Sequence, residues 1–197
     1  MKKNILIFGA ARAGKSTLAK KLNEELNYYA FSIDKIVTAF MRAYPQLDIN
    51  YTNEQTSAKL APFLGHFLGA SCCSWNAVEG NKFVIEGYFD FEKIIPIWDL
   101  YDMEEFTEYF LFIGLIYPNQ TPDKLCSDIR KHDKEDDWTC GLSDSELRSH
   151  AINGIEYSRS FNDKFQKYAP IVYDVSYNRE QVLDTIVNDI KVRFGIL

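Results

Sequence analysis

The sequence predicts an α/β fold built on a parallel sheet, and three observations carry that prediction. Short continuous apolar runs, such as Asn4 to Phe8 and Phe110 to Tyr117, lack the polar alternation of a half-exposed strand and read as strands buried on both faces. Segments of helical periodicity separate these runs, which calls for right-handed crossovers and helices on both faces of the sheet. The length of 197 residues, 46% of them hydrophobic and 25% charged, suits one ordinary globular domain with room for an inserted lid.

The elements follow in order. Asn4 to Phe8 is the first strand, closed by Gly9, and Lys15 to Asn27 carries Leu18, Ala19, Leu22 and Leu26 at helical spacing. Tyr28 to Ile33 reads as a second strand and Asp34 to Tyr44 as a helix stopped by Pro45. Asp48 to Asn53 is a polar loop, with Asn53 the expected N-cap of a long helix reaching about Glu79. Phe63, Phe67 and Ala70 recur along that helix, while Pro62, Gly65 and Gly69 weaken it. Asn81 to Ile85 is the third strand and ends in Glu86-Gly87; a connecting region with Pro96 leads to the fourth, Phe110 to Tyr117. A polar, acidic stretch from Pro118 to Asp144 precedes a helix from Ser143 to Tyr168, with Leu147, Ala151, Phe161 and Phe165 on its buried face. Ile171 to Val175 is the fifth strand and Glu180 to Phe194 the last helix. Ligands on such sheets bind at the carboxyl ends of the strands.

Charge and cysteine usage exclude several classes. With 22 Lys plus Arg against 28 Asp plus Glu, and no basic run, the chain is a poor candidate for nucleic-acid binding. Ile5 to Phe8 is too short for a signal h-region and no stretch approaches a membrane span, so a cytoplasmic protein without a membrane partner is expected. Adjacent Cys72 and Cys73 fall in an apolar helical stretch, and the spacing of Cys126, His132 and Cys140 matches no common zinc pattern.

One motif decides the chemistry. Gly9-Ala10-Ala11-Arg12-Ala13-Gly14-Lys15-Ser16 is a complete G-x-x-x-x-G-K-[ST] phosphate loop between a buried strand and an amphipathic helix. Gly9 lets the chain leave the strand sharply, and Gly14 lets the backbone approach an anion. Small Ala10, Ala11 and Ala13 leave consecutive amides bare for the β-phosphate, and the following helix adds the positive end of its dipole. Lys15 suits the β/γ oxygens of ATP, the Ser16 hydroxyl suits Mg²⁺, and Thr17 follows at the helix start. No Asn-Lys-x-Asp serves guanine, and Glu86 stands alone where hydrolysing ATPases pair Asp with Glu, which leaves a small phosphotransferase.

On these residues the sequence resembles the P-loop small-molecule kinases, the group of adenylate, shikimate and gluconate kinases. The resemblance implies a P-loop NTPase three-layer α/β/α fold with strand order 2-3-1-4-5, a single domain over 1–197, and a lid over roughly 118–159. It implies transfer of the ATP γ-phosphate to a small-molecule acceptor, with ATP and Mg²⁺ as cofactors. Asp34 stands where the family places an acceptor-binding acid. It is the expected general base, its alternative being a helix N-cap. Glu86 would hold Mg²⁺ through water or take the acceptor proton, or else form an ion pair. Arg130, Arg148 and Arg159 are candidates to reach the γ-phosphate from the lid. Arg179 either flanks the adenine position by stacking or merely decorates the C-terminal helix, and Arg12 either stacks on adenine or faces solvent. The family's monophosphate kinases follow the acid-Gly pair with Pro-Arg, whereas here Gly87-Tyr88-Phe89-Asp90 follows and Arg42 is the only Arg between Arg12 and Arg130. Tyr88, Phe89, Phe91 and Trp98 are expected to offer aromatic surface instead, with Tyr88 against the acceptor. A hydroxyl acceptor is therefore favoured. The alternatives are a nucleoside monophosphate kinase that uses Arg42 as its clamp, and a nucleotide-binding regulatory protein without transfer activity.

Overall fold

The computed structural model describes residues 4–50, 55–72, 82–101, 105–135 and 137–196. Five strands, β1 (Asn4–Gly9), β2 (Tyr29–Ser32), β3 (Phe83–Glu86), β4 (Phe110–Ile116) and β5 (Ile171–Asp174), form one sheet in the order β2-β3-β1-β4-β5. Its pairs run parallel, as the apolar runs predict. The helices are α1 (Lys15–Leu26), α2 (Ile33–Ala43), α3 (Thr56–Cys72), α4 (Phe91–Trp98), α5 (Phe106–Tyr109), α6 (Pro122–His132), α7 (Asp144–Arg159), α8 (Phe161–Phe165) and α9 (Arg179–Phe194). Asn53, Asn81 and the expected reach of α3 towards Glu79 lie outside the described residues.

The chain divides into two compact units, Met1–Phe8 with Ser16–Phe112, and Gly9–Lys15 with Ile113–Leu197. In the first, Ile5, Leu6, Ile7, Leu18, Leu22 and Ile85 are fully or almost fully buried, the contiguous apolar core that stabilises parallel strands. Register places Ile7, Glu86 and Ser32 in one row, so β2 and β3 end level while β1 runs two residues further, to Gly9.

The region around Pro96, expected as a connection, is the helix α4. Phe91, Ile94 and Trp98 recur at helical spacing and are buried there, and that burial outweighs the backbone hydrogen bond a proline forfeits. Consequently Phe89, Phe91 and Trp98 are core residues and not an exposed aromatic surface. Phe91 stacks on Phe89 at 5.3 Å and Trp98 meets Phe106 edge-on at 5.2 Å. Gly65 and Gly69, which weaken α3 by propensity, allow close approach: a Cβ on Gly65 would lie 2.7 Å from the Ile97 Cβ, and one on Gly69 would run into the Tyr101 ring.

In the second unit the acidic stretch contains α6, whose Thr121 N-cap accepts from the Lys124 amide. The expected helix over 143–168 is two helices with a break at Ser160. There Phe161 is fully buried against Gly114 of β4, at a point where any Cβ would meet the Phe161 ring. Leu147, Ala151, Ile155, Leu183, Ile186 and Ile190 complete that unit's core.

Candidate phosphate and nucleotide site

The phosphate loop leaves β1 at Gly9, with φ at +130°, and the Ala10 amide then donates to the Leu115 carbonyl at 3.0 Å. A Cβ on Gly9 would collide with that same carbonyl, so only glycine fits. Gly14 has φ at +98°, and a Cβ there would sit 3.3 Å from the Leu183 side chain. Ala10 and Ala13 are buried and Ala11 is exposed. The Ala11 carbonyl accepts from the Tyr117 hydroxyl at 2.8 Å. Burial pushes the Tyr117 phenol upward, so it stays a donor that braces the loop. The Lys15 Nζ donates to the carbonyls of Ala10 at 2.8 Å and Gly9 at 3.3 Å, which holds its ammonium over the loop.

In the first unit, Ser16 begins the body of α1 and its hydroxyl donates to Glu86 Oε1 at 3.2 Å. Glu86, at the end of β3, is 3% exposed, and the Gly87 amide that follows donates to the Ile7 carbonyl at 3.1 Å. A hydroxyl and a carboxylate at hydrogen-bond distance form the hard-oxygen donor set that Mg²⁺ takes, so these residues fit that ion. Thr17 is exposed on α1. Asp34 is not the N-cap of α2. That position is Ser32, which makes no side-chain capping bond, and Asp34 stands exposed in the first helical turn. Arg42 lies eight residues on, in the exposed last turn and about 12 Å along the axis from Asp34. Tyr88 is 60% exposed beyond the end of β3.

The second unit holds a cleft of about 430 Å³, of a size for a nucleoside, lined by Arg12, Tyr117, Gln120, His132, Ser176 and Arg179 among others. Gln120 is buried and fixed at both ends, donating to the Ser176 carbonyl at 2.7 Å and accepting from the Thr121 amide at 3.3 Å. The turn after β5 is held by Asp174, which accepts from the Ser176 amide at 2.8 Å and from Asn119 Nδ2 at 2.7 Å. Arg179 opens α9 and donates to the Arg12 carbonyl at 3.5 Å.

Four other candidate arginines, Arg12, Arg130, Arg148 and Arg159, are each engaged. Arg12, at φ +61°, neither faces open solvent nor lies free to stack. It pairs with Asp133 at 2.7 Å and with Asp137 at 3.1 Å. Arg130 donates to the carbonyls of Thr139 at 3.0 Å and Leu142 at 2.6 Å and so fastens the segment after α6. Arg148 pairs with Asp123, and Arg159 donates to the Pro118 carbonyl at 3.1 Å. Tyr117, Gln120, Asp133 and Asp137 are site neighbours that no sequence motif marked; a tyrosine closing β4 beside the loop strand was the one available hint. Among the described residues no group of three or more His, Cys, Asp or Glu could hold a metal ion.

No family model matches the sequence, and no curated protein does. Solved structures do. A shikimate kinase from Bacteroides thetaiotaomicron is 17% identical with a TM-score of 0.57, over 95% of this chain and 98% of its own. A shikimate kinase from Acinetobacter baumannii, in complex with shikimate, is 10% identical with a TM-score of 0.55, over 99% and 94%. A gluconokinase from Sinorhizobium meliloti 1021 is 13% identical with a TM-score of 0.53, over 96% and 93%. The chain has the fold of the P-loop small-molecule kinases, with their strand order 2-3-1-4-5.

Proposed function

We propose that this chain is an ATP- and Mg²⁺-dependent phosphotransferase that moves the γ-phosphate of ATP to a hydroxyl of a small molecule. The observation that carries the reading is the phosphate loop, whose Gly9 and Gly14 both occupy positive φ, Gly9 where a Cβ has no room. Its amides and the start of α1 favour a polyphosphate. Lys15, held over the loop by two carbonyls, exchanges those neutral acceptors for phosphate oxygens. Ser16 and Glu86 would hold Mg²⁺, Glu86 through water, and the ion would supply neutralisation of the charge on the transferring phosphate. The cleft beside Gln120, Ser176 and Arg179 takes the nucleoside.

Asp34 orients the acceptor hydroxyl and accepts its proton. Its exposure in the first turn of α2, two residues past the level ends of β2 and β3, supports that role over capping. Arg42, on the far exposed turn of the same helix, gives no support to a clamp for an acceptor phosphate. The test is ADP release with a panel of hydroxyl metabolites, nucleosides and nucleotides. Stimulation by at least one hydroxyl compound is expected, and stimulation by nucleotides alone would reverse the acceptor assignment.

A further inference from the structure

The guanidinium of Arg12 carries more acid than one charge balances. Its Nη2 meets Asp133 Oδ1 at 2.7 Å, and its two terminal nitrogens straddle the Asp137 carboxylate at 3.1 and 3.2 Å. The side chains are 20%, 6% and 30% exposed for Arg12, Asp133 and Asp137, so the cluster is largely withdrawn from water. Asp133 also accepts from the Thr139 hydroxyl at 2.5 Å. Its second oxygen is buried without a hydrogen-bond partner, and the Arg130 guanidinium stands 3.9 Å away. The Asp137 carboxyl lies below the usual carboxylate range, held there first by the Lys134 amide and then by Arg12. Two acidic side chains thus grip a side chain that belongs to the phosphate loop itself.

Resting on the nucleotide reading above, we propose that Asp133 and Asp137 set nucleotide affinity by competing with phosphate for Arg12. An arginine fork fits a carboxylate and a phosphate equally well, so an incoming triphosphate and the two acids are rivals for one partner. The acids lie no farther from the loop than one arginine side chain and an ion pair, on the order of the Debye length of ~8–10 Å, so they also repel the phosphates directly. Releasing Arg12 leaves Asp133 buried with less compensation, a cost the nucleotide must offset. Both acids are therefore positioning residues that act through Arg12, and they hold ATP affinity below what the bare loop would give.

The test is calorimetric titration of ATP with Mg²⁺ and no acceptor, on the wild type and on Asp133→Asn, Asp137→Asn and Asp137→Glu. Asp137→Asn tightens ATP between about threefold and tenfold, the effect of removing one partly exposed competitor, and Asp137→Glu stays near wild type. In an Arg12→Gln background the same Asp137→Asn change yields less than about a twofold gain, the residue of screened repulsion. A merely structural role predicts the opposite sign, weaker binding with a lower melting temperature. If Asp133→Asn fails to fold, Asp137→Asn decides alone. Unchanged or weaker ATP binding in the Asn variants overturns the competition while leaving the nucleotide site intact. A full gain that persists without Arg12 also overturns it. Failure of the wild type to bind ATP at all overturns both readings together.

Discussion

At Gly9 two constraints meet on one atom. The backbone sits at φ +130°, and the space a Cβ would need is taken by the Leu115 carbonyl, which is itself paired to the Ala10 amide. Gly9→Ala therefore carries strain of about 1–3 kcal/mol from the dihedral, plus displacement of that hydrogen bond. A lower denaturation midpoint together with lost ATP binding is expected. Lys15→Ala makes the complementary case: the residue donates to two loop carbonyls but belongs to no core, so it leaves the fold intact and costs more than about a hundredfold in turnover. Asp34→Asn lowers kcat far more than ATP affinity, and it changes stability by less than about 1 kcal/mol, the worth of one exposed acid in a first helical turn. Equal losses of kcat and ATP affinity would return Asp34 to a structural role. The loop was legible in the sequence because a fixed local spacing defines it, whereas the contact between Ser16 and Glu86 was not, since it joins residues 70 apart. The partners of Arg12 were not, because Asp133 and Asp137 lie 121 and 125 residues away, and no local pattern pairs a loop arginine with a distant acidic run.

Among the elements, α7 begins with a complete capping box. Ser143 accepts from the Glu146 amide, and the Glu146 carboxylate accepts from the Ser143 amide at 2.8 Å. The Ser143 hydroxyl, donating to the same carboxylate at 2.6 Å, and after it the Ser143 amide hold the Glu146 carboxyl below its usual range. A carboxyl depressed on folding contributes stability above its unfolded pKa and loses it as pH falls through the lower folded value. Ser143→Ala is expected to cost about 1 kcal/mol by urea denaturation at neutral pH. Helix α4 supplies the larger effect: Trp98 is fully buried among Phe106, Tyr109 and Phe110, and Trp98→Ala costs about 3–5 kcal/mol. The central strands β1 and β4 were readable because burial on both faces writes itself as an apolar run, while the edge strands β2 and β5 are only partly buried. Helix α4 was not, because Pro96 argues locally against it while the aromatic packing that overrides the proline is tertiary. The break at Ser160 escaped for the same reason, since the Phe161 that follows it packs over the distant Gly114 of β4.

Across the whole molecule, buried phenols set an alkaline limit. Burial, aided by the hydrogen bond to Asp189 at 2.9 Å, pushes Tyr173 up to about 12, and burial raises Tyr28 and Tyr117 as well. These phenols ionise near 10 once unfolded, so above that pH the unfolded chain binds fewer protons than the folded one and stability falls. The melting temperature should drop steeply above about pH 10, and less steeply in Tyr173→Phe. The fold class and strand order were legible from the alternation of elements and the family resemblance. The division into two compact units was not, because it follows long-range contacts within each unit rather than any composition shift along the chain. The account stands most directly on whether the loop near the amino terminus binds a nucleoside triphosphate. Calorimetry with ATP and Mg²⁺ should give one saturable site in the wild type, and that heat should be lost or greatly weakened in Lys15→Ala at an unchanged melting temperature. No heat from the wild type at millimolar ATP, or equal binding by both proteins, would contradict it.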